Sequence, residues 1–259
     1  MKTNRKTKKT TYAPLSEKAK SLILGTLLGD GSLALQRGYK NPRMQFRHSE
    51  KDKEYFFWKV GVLREITRKK SVHLQKRDGY ASQKKLHYAS EATEKLSDIY
   101  RLTYKKNRLH IRRKWLNMMD ELSLAVWWCD DGSLIGEGGR KGVFCTDGFD
   151  KESVKLLARY LEKKWGIRTK VSPVSRKRDG RRDDYWRLWI RSQEELKKFL
   201  RIILPYIPVR GMLRKVLLLY KNPQFQERWI SEVAEKSRFS REVVYEELNA
   251  KRRKWRDFR

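Results

Sequence analysis

The segment Gly29-Asp30-Gly31-Ser32-Leu33 returns later in the chain as Asp130-Asp131-Gly132-Ser133-Leu134. Lys76-Arg77-Asp78-Gly79 likewise returns as Lys177-Arg178-Asp179-Gly180, and Arg113-Lys114-x-Leu116 as Arg214-Lys215-x-Leu217. Positions 30 to 131, 78 to 179 and 114 to 215 share one offset, 101. One such match could be chance in a chain rich in Lys and Arg. Three at one spacing imply a duplicated unit, so the 259 residues are read as two homologous halves rather than one large domain.

Local patterning gives each half the same order of elements. In the first, Ser16 is placed to cap a helix whose Leu22, Ile23, Leu24, Leu27 and Leu28 make it apolar almost all round, so it must be buried. Strands follow at Ser32–Gln36 and Arg43–His48 around a Gly38 turn. An amphipathic helix over Glu50–Ile66 turns Tyr55, Phe56, Val60 and Leu63 inward. A hairpin of Val72–Arg77 and Ser82–Tyr88 closes over Asp78-Gly79, and a helix spans Thr93–Tyr104. The second half repeats this with a helix to Asp130, strands near Ser133 and Val143, a helix over Lys151–Trp165, a hairpin at Asp179-Gly180 and a helix over Gln193–Ile203. The fold class is α+β, αββαββα twice.

The strands alternate. Arg43, Gln45 and Arg47 fall on one face, with Met44, Phe46 and His48 on the other; His73, Gln75 and Arg77 oppose Val72 and Leu74; Tyr185, Arg187, Trp189 and Arg191 oppose Trp186, Leu188 and Ile190. A half-buried antiparallel strand has a polar outer face in any case, but here the Arg- and Gln-rich face recurs in both halves. Such a face suits contact with bases and phosphates in a major groove, and Lys85, Arg176 and Arg178 extend it. The charge points the same way: 63 Lys and Arg against 31 Asp and Glu leave +32, which repels itself unless a polyanion neutralises it. Heat-adapted proteins match their cations with acids, and this chain does not. Two cysteines without C-x-x-C spacing and four histidines argue against a zinc site or disulfide scaffold. No apolar run reaches membrane-spanning length and the basic Met1–Lys9 stretch has no apolar segment after it, so a soluble, intracellular protein is expected.

Asp30 and Asp131 each end a buried apolar helix, where the helix dipole is negative and a carboxylate is unfavourable without a compensating cation. One Asp-Gly after a helix reads as a cap and turn; two at the repeat offset read as a site. A hard divalent ion is the natural partner, Mg2+ above others. For the carboxylates to meet, the two helices must run side by side, and Gly25 and Ala125 supply small residues for that contact.

Ile23-Leu24-Gly25-Thr26-Leu27-Leu28-Gly29-Asp30-Gly31 and Leu124-Ala125-Val126-Trp127-Trp128-Cys129-Asp130-Asp131-Gly132 resemble the two motifs of a LAGLIDADG homing endonuclease, in its single-chain, intron-encoded branch. The resemblance covers about residues 15 to 220. It implies a saddle of two pseudo-symmetric units whose antiparallel sheets straddle double-stranded DNA. It also implies a Mg2+-dependent double-strand cut of a long pseudo-palindromic site with 3′ overhangs. Two or three divalent ions would be shared between Asp30 and Asp131, with Gly29 and Asp130 as auxiliary ligands. The family's basic residue near each active site falls on Lys215 in the second half. In the first, Arg108 and Lys106 rank above Lys114, which the internal offset indicates.

The expected boundaries are a basic tail over 1–14, units over 15–110 and 111–222, and a helical, basic extension over 223–259. There Ile230–Val244 resembles a helix-turn-helix, with Ala234, Phe239 and Val244 at core positions and Arg238 where a turn glycine is common; two plain helices packed on the core are the alternative. The rival functions are an RNA-binding intron maturase, with intron RNA as partner, and a non-catalytic DNA-binding protein. Met1 and Arg259, without a terminal His-Asn, argue against an intact intein, which leaves a free-standing protein in the cytoplasm or an organelle of the intron's host.

Overall fold

A computed structural model describes residues 13–75, 84–178 and 181–256. In the first unit, α1 (Glu17–Thr26) is capped by Ser16, whose hydroxyl accepts from the Ala19 amide and donates to Glu65. There follow β1 (Gly31–Ala34), β2 (Arg43–Ser49), α2 (Lys53–Val62), β3 (Val72–Gln75), β4 (Lys85–Ala89) and α3 (Ser97–Thr103). The strands form one antiparallel sheet in the order β1-β2-β4-β3. The helix expected over Glu50–Ile66 is α2 flanked by 3-10 turns. The expected turns at Asp78-Gly79 and Asp179-Gly180 lie outside the described residues.

A small hairpin, β5 (Tyr104–Lys105) and β6 (Arg108–Leu109), and the short α4 (Arg113–Asn117) lead to the second unit. The hairpin turn places Lys106 and Asn107 consecutively at φ 49° and 59°, the double left-handed conformation that matches the twist of the flanking strands. The second unit repeats the first: α5 (Glu121–Asp131), β7 (Gly132–Ile135), β8 (Lys141–Phe144), α6 (Lys151–Trp165), β9 (Lys170–Arg178), β10 (Arg181–Ile190) and α7 (Gln193–Ile203), with sheet order β7-β8-β10-β9. Both predicted helix spans, Lys151–Trp165 and Gln193–Ile203, hold to the residue. Asp150 and Ser192 cap their first turns, and Gly166 closes α6 in the left-handed region at φ 65°.

The open sheets are those the saddle requires, and α1 lies along α5 between them. Gly25 permits the contact: a Cβ there would stand 2.3 Å from the Ser123 carbonyl oxygen. The pair is also cross-stitched, because Ser21 donates to Asp120 at 2.6 Å and Ser123 donates to the Ser21 carbonyl at 2.9 Å. Leu22, Ile23, Leu24, Leu124, Ala125, Trp127 and Trp128 are all essentially inaccessible, so the two motif helices are the centre of one continuous core.

Alternation on β2 is as expected, with Met44, Phe46 and His48 buried and Arg47 exposed. On β3 it fails: Leu74, expected inward, is 46% exposed. β3 is an edge strand, beyond the cover of the helices. The chain ends in α8 (Pro223–Lys236) and α9 (Arg241–Arg256), joined by a short turn in which Phe239 packs against the core, while Val244 is buried. Among the described residues no helix is long and apolar enough to cross a membrane.

Candidate active site

The α1–α5 pairing brings Asp30 and Asp131 to the same end of the two helices, close enough for each carboxylate to feel its neighbours' charge. Asp30 is pushed up to about 6 by burial and by Asp130, against the opposing pull of Lys59 and Lys215. Asp131 is pushed further, to about 8, by burial, then by Asp30 and Asp130, with Lys215 opposing. Both acids are therefore short of positive charge.

The two corners are built differently. Beside Asp30, the Asp130 carboxylate reaches from α5 into the first unit and is fully buried. There it accepts from the Lys59 ammonium at 2.8 and 2.9 Å and from the Tyr55 hydroxyl at 2.8 Å. Lys59 is 0% exposed, lying 4.8 Å from the centre of the Phe46 ring and 5.0 Å from that of Tyr55. It also stands 3.3 Å from His48 Nε2. An ammonium has only protons to offer, so Nε2 is the acceptor and Nδ1 carries the proton toward Asp30 Oδ2, 3.4 Å away. Burial, then Lys59, lower His48 to about 3, which keeps the ring neutral.

Asp30, His48 and Asp130 present ligand atoms within 4.8 Å of one another. Asp130, expected as an auxiliary metal ligand, nevertheless has both oxygens engaged by Lys59 and Tyr55, so a cation there would compete with an ammonium already in place. Its position explains Gly29, the residue that faces it: a Cβ on Gly29 would lie 2.5 Å from the Asp130 Cβ. Sequence reasoning missed His48, Lys59 and Tyr55; the one signal was an extra acid, Asp130, in a helix apolar enough to be buried.

In the second corner Lys215 Nζ donates to the Gly132 carbonyl at 2.6 Å, next to Asp131, and Trp128 Nε1 donates to the Lys215 carbonyl at 2.8 Å. Burial lowers the Lys215 ammonium below the usual lysine range. Lys215, the residue the family resemblance indicates, thus stands beside Asp131. Lys106 and Arg108 are exposed on the β5–β6 hairpin, which is tied to the first unit where the Leu33 amide donates to the Tyr104 hydroxyl at 2.9 Å; Lys114 is exposed on α4. Lys59 and Lys215 are the cations that act on Asp30.

A groove of about 360 Å³ runs from Asp30 along the first sheet past Ser32, Gln45, Arg47, Lys85 and His87. A cleft of about 770 Å³ beside the second corner is lined by Lys51, Ser133, Arg214, Lys215 and Lys254 among others.

A family model described as the LAGLIDADG DNA endonuclease family matches residues 20–199, which takes in both motifs. The chain belongs to that family. Among curated relatives, this LAGLIDADG chain is 28% identical over 166 residues to Protein RecA of Mycobacterium gastri, covering 59% of this chain and 38% of that protein. It is 25% identical over 180 residues to the cytochrome b mRNA maturase bI2 of Saccharomyces cerevisiae, covering 66% of this chain and 42% of that protein. The chain thus spans about two fifths of the length of these relatives. Among solved structures it is similar to the homing endonuclease I-WcaI bound to its DNA recognition sequence, with a TM-score of 0.70 and 20% identity over 84% of this chain and 96% of that one. That likeness is one of fold.

Within this LAGLIDADG frame the expected sheet residues fall into distinct groups. Arg43, Gln45, Arg47, His73, Gln75 and Lys85 stand on the first sheet, with His73 and His87 hydrogen-bonded at 2.8 Å. Arg77 lies outside the described residues, as do the side chains of Arg176 and Arg178, whose backbone is in β9. On the second sheet Tyr185 is half-buried and Arg191 exposed. Arg187 is taken by Asp147 in a two-pronged ion pair at 2.5 Å, and the Trp189 indole nitrogen is enclosed without an acceptor. Two of the three Arg187 guanidinium nitrogens are thus engaged by Asp147, and the Trp189 nitrogen is away from the surface.

Proposed function

We propose that the chain is a site-specific double-strand DNA endonuclease that uses Asp30 against one strand and Asp131 against the other. The observation that carries this is the pair of carboxylates, one per repeat, set side by side by interlocked helices, each short of positive charge and each beside a basic groove. The donor set fits a hard divalent ion such as Mg2+, because hard oxygen ligands with raised proton affinity are those such an ion relieves. Asp30 and Asp131 are the residues that would hold it, two or three ions being shared between them. When bound, such an ion supplies Lewis-acid polarisation of the scissile phosphate and a lowered pKa for water.

The chain's own groups then have separate tasks. Ionised Asp30 and Asp131 orient the attacking water and accept its hydrogen bond. His48 stands beside Asp30 as a neutral ring, its Nδ1 3.4 Å from Oδ2. Lys215 faces the second strand's phosphate and offsets charge as it develops there, while Arg108 and Lys106 serve the first strand from their hairpin. Arg43, Gln45, Arg47 and their neighbours contact the duplex, so binding and cutting rest on different residues. Both corners come from one chain, so a monomer suffices, cutting a long pseudo-palindromic site with 3′ overhangs.

The test incubates purified protein and Mg2+ with a randomised duplex library and sequences the cut ends. We expect paired breaks, and a fall of about 10³-fold in double-strand product for Asp30→Asn or Asp131→Asn, since ion-assisted charge stabilisation contributes several kcal/mol and each 1.4 kcal/mol is about tenfold. Binding at moderate salt should persist in both variants. Unchanged cutting in both would sink the reading. The similarity to a cytochrome b mRNA maturase supports a second reading, RNA binding on the same fold; a protein that binds RNA and never cuts any duplex would favour it.

A further inference from the structure

The peptide from Arg214 to Tyr220 carries Lys215 at its start and leaves regular structure after Val216. Val216, Leu217 and Leu218 are 0% exposed, so their carbonyls have no access to water and need donors from the protein. Five successive carbonyls are met by side chains. Arg214 accepts from Lys251 Nζ at 2.9 Å, Lys215 from Trp128 Nε1 at 2.8 Å, and Val216 from Trp229 Nε1 at 3.2 Å. Leu217 accepts from Lys251 Nζ at 2.7 Å and Leu218 from Gln226 Nε2 at 3.1 Å. All of these bonds except the one from Trp128 come from α8 and α9.

We infer that the C-terminal helices are a positioning element of the second active corner, with Lys251 as its main contact; this rests on the endonuclease reading. Lys251 bridges the carbonyls of Arg214 and Leu217 and so clamps the turn from which the Lys215 side chain reaches Gly132 beside Asp131. α9 is anchored for that task by buried Val244 and Leu248 and by Arg210, which pairs with Glu246 at 2.7 Å and Glu247 at 2.6 Å. Its exposed residues are Arg241, Glu242, Glu246, Asn249, Arg253 and Lys254.

The test uses the full-length protein. Lys251→Met keeps the length of the side chain and removes its donors; Lys251→Arg keeps donors. Strand-resolved nicking with Mg2+, on a duplex recovered from the library, should show Lys251→Met slowing the strand that Lys215→Met slows, by about 10- to 100-fold, the scale of a small misplacement of a catalytic group. The other strand's rate should be unchanged and Lys251→Arg should restore most of the loss. In protein without DNA or metal, hydrogen exchange should speed up over residues 213–220 in Lys251→Met and not over 31–49. Should Lys251→Met fail to fold, Trp229→Phe, which loses one donor, gives the same pattern at smaller amplitude. Equal slowing of both strands, or unaltered exchange over 213–220, overturns the inference. Wild type that cuts neither strand, with the exchange result as expected, would instead remove the endonuclease reading and leave the positioning role standing.

Discussion

The corner at Asp30 and the corner at Asp131 descend from one repeat, yet they are held by different means. The first is backed by a sealed network, Asp130 with Lys59, Tyr55 and His48, that crosses from one unit to the other. The second is backed by Lys215 and by side chains of the C-terminal helices on the backbone around it. The difference traces to one motif position, Gly29 in the first motif and Asp130 in the second. Only because Gly29 has no Cβ can Asp130 occupy the crossing. Duplication preserved the fold, while one departure from symmetry made each half depend on the other.

The sharpest way to break this comparison is Lys59→Met. It leaves a fully buried carboxylate without its cation, and removing one partner of a buried pair costs about 3–5 kcal/mol. Urea denaturation should show that loss, and Lys59→Met with Asp130→Asn should recover part of it. Since the network joins the two units, both should still unfold together. A cost below about 1 kcal/mol, the value of an exposed pair, would mean that the network does not hold the interface.

A smaller effect separates the two carboxylates by pH. A folded-state pKa raised above the unfolded one means that the native protein binds more protons, so stability is present at low pH and lost as pH rises through the folded value. Asp131 titrates at about 8 and Asp30 at about 6. In chelator, the advantage of Asp131→Asn over wild type should grow from about pH 4, where the unfolded carboxyl ionises, up to about pH 8, where the folded one does. For Asp30→Asn the advantage should open at the same pH and stop growing about two units lower. Mg2+ should raise wild type most at the alkaline end. A gap that is constant with pH would show that these groups are not strained by their charge.

How much of this could be read beforehand depended on whether the cause was local. Ser16, Asp150 and Ser192 announce their helices, because a cap is a bond between neighbours in sequence. Asp30 and Asp131 were visible through the repeat and Lys215 through the family resemblance, whereas Lys114, which the repeat offset indicated, lies exposed on α4. Lys59 was not: on an amphipathic helix between Trp58 and Val60 it reads as a solvated side chain, and only its tertiary partner Asp130 makes it a core residue. His48 was placed on the inward face of β2 by alternation, but its neighbours there are set by α2 and α5. The β5–β6 hairpin leaves little trace in the sequence, since only Asn107 hints at a left-handed turn. The carbonyls from Arg214 to Leu218 show in neither composition nor period, because their donors come from distant helices.

The mildest test compares the two sheets. Arg47 is exposed with no ion pair among the described residues, whereas the Arg187 side chain is 13% exposed and held by Asp147. A free arginine that neutralises a phosphate releases about one counterion, so Arg47→Ala should lower the slope of log affinity against log salt by about 1. Arg187→Ala removes a charge already offset within the protein and should change that slope much less. It also removes the ion pair between Arg187 and Asp147 near Asp131, so its effect should appear in cutting of the second strand more than in binding. Equal slope changes for the two would show that Asp147 releases Arg187 when DNA binds, and that the two sheets meet phosphate in the same way.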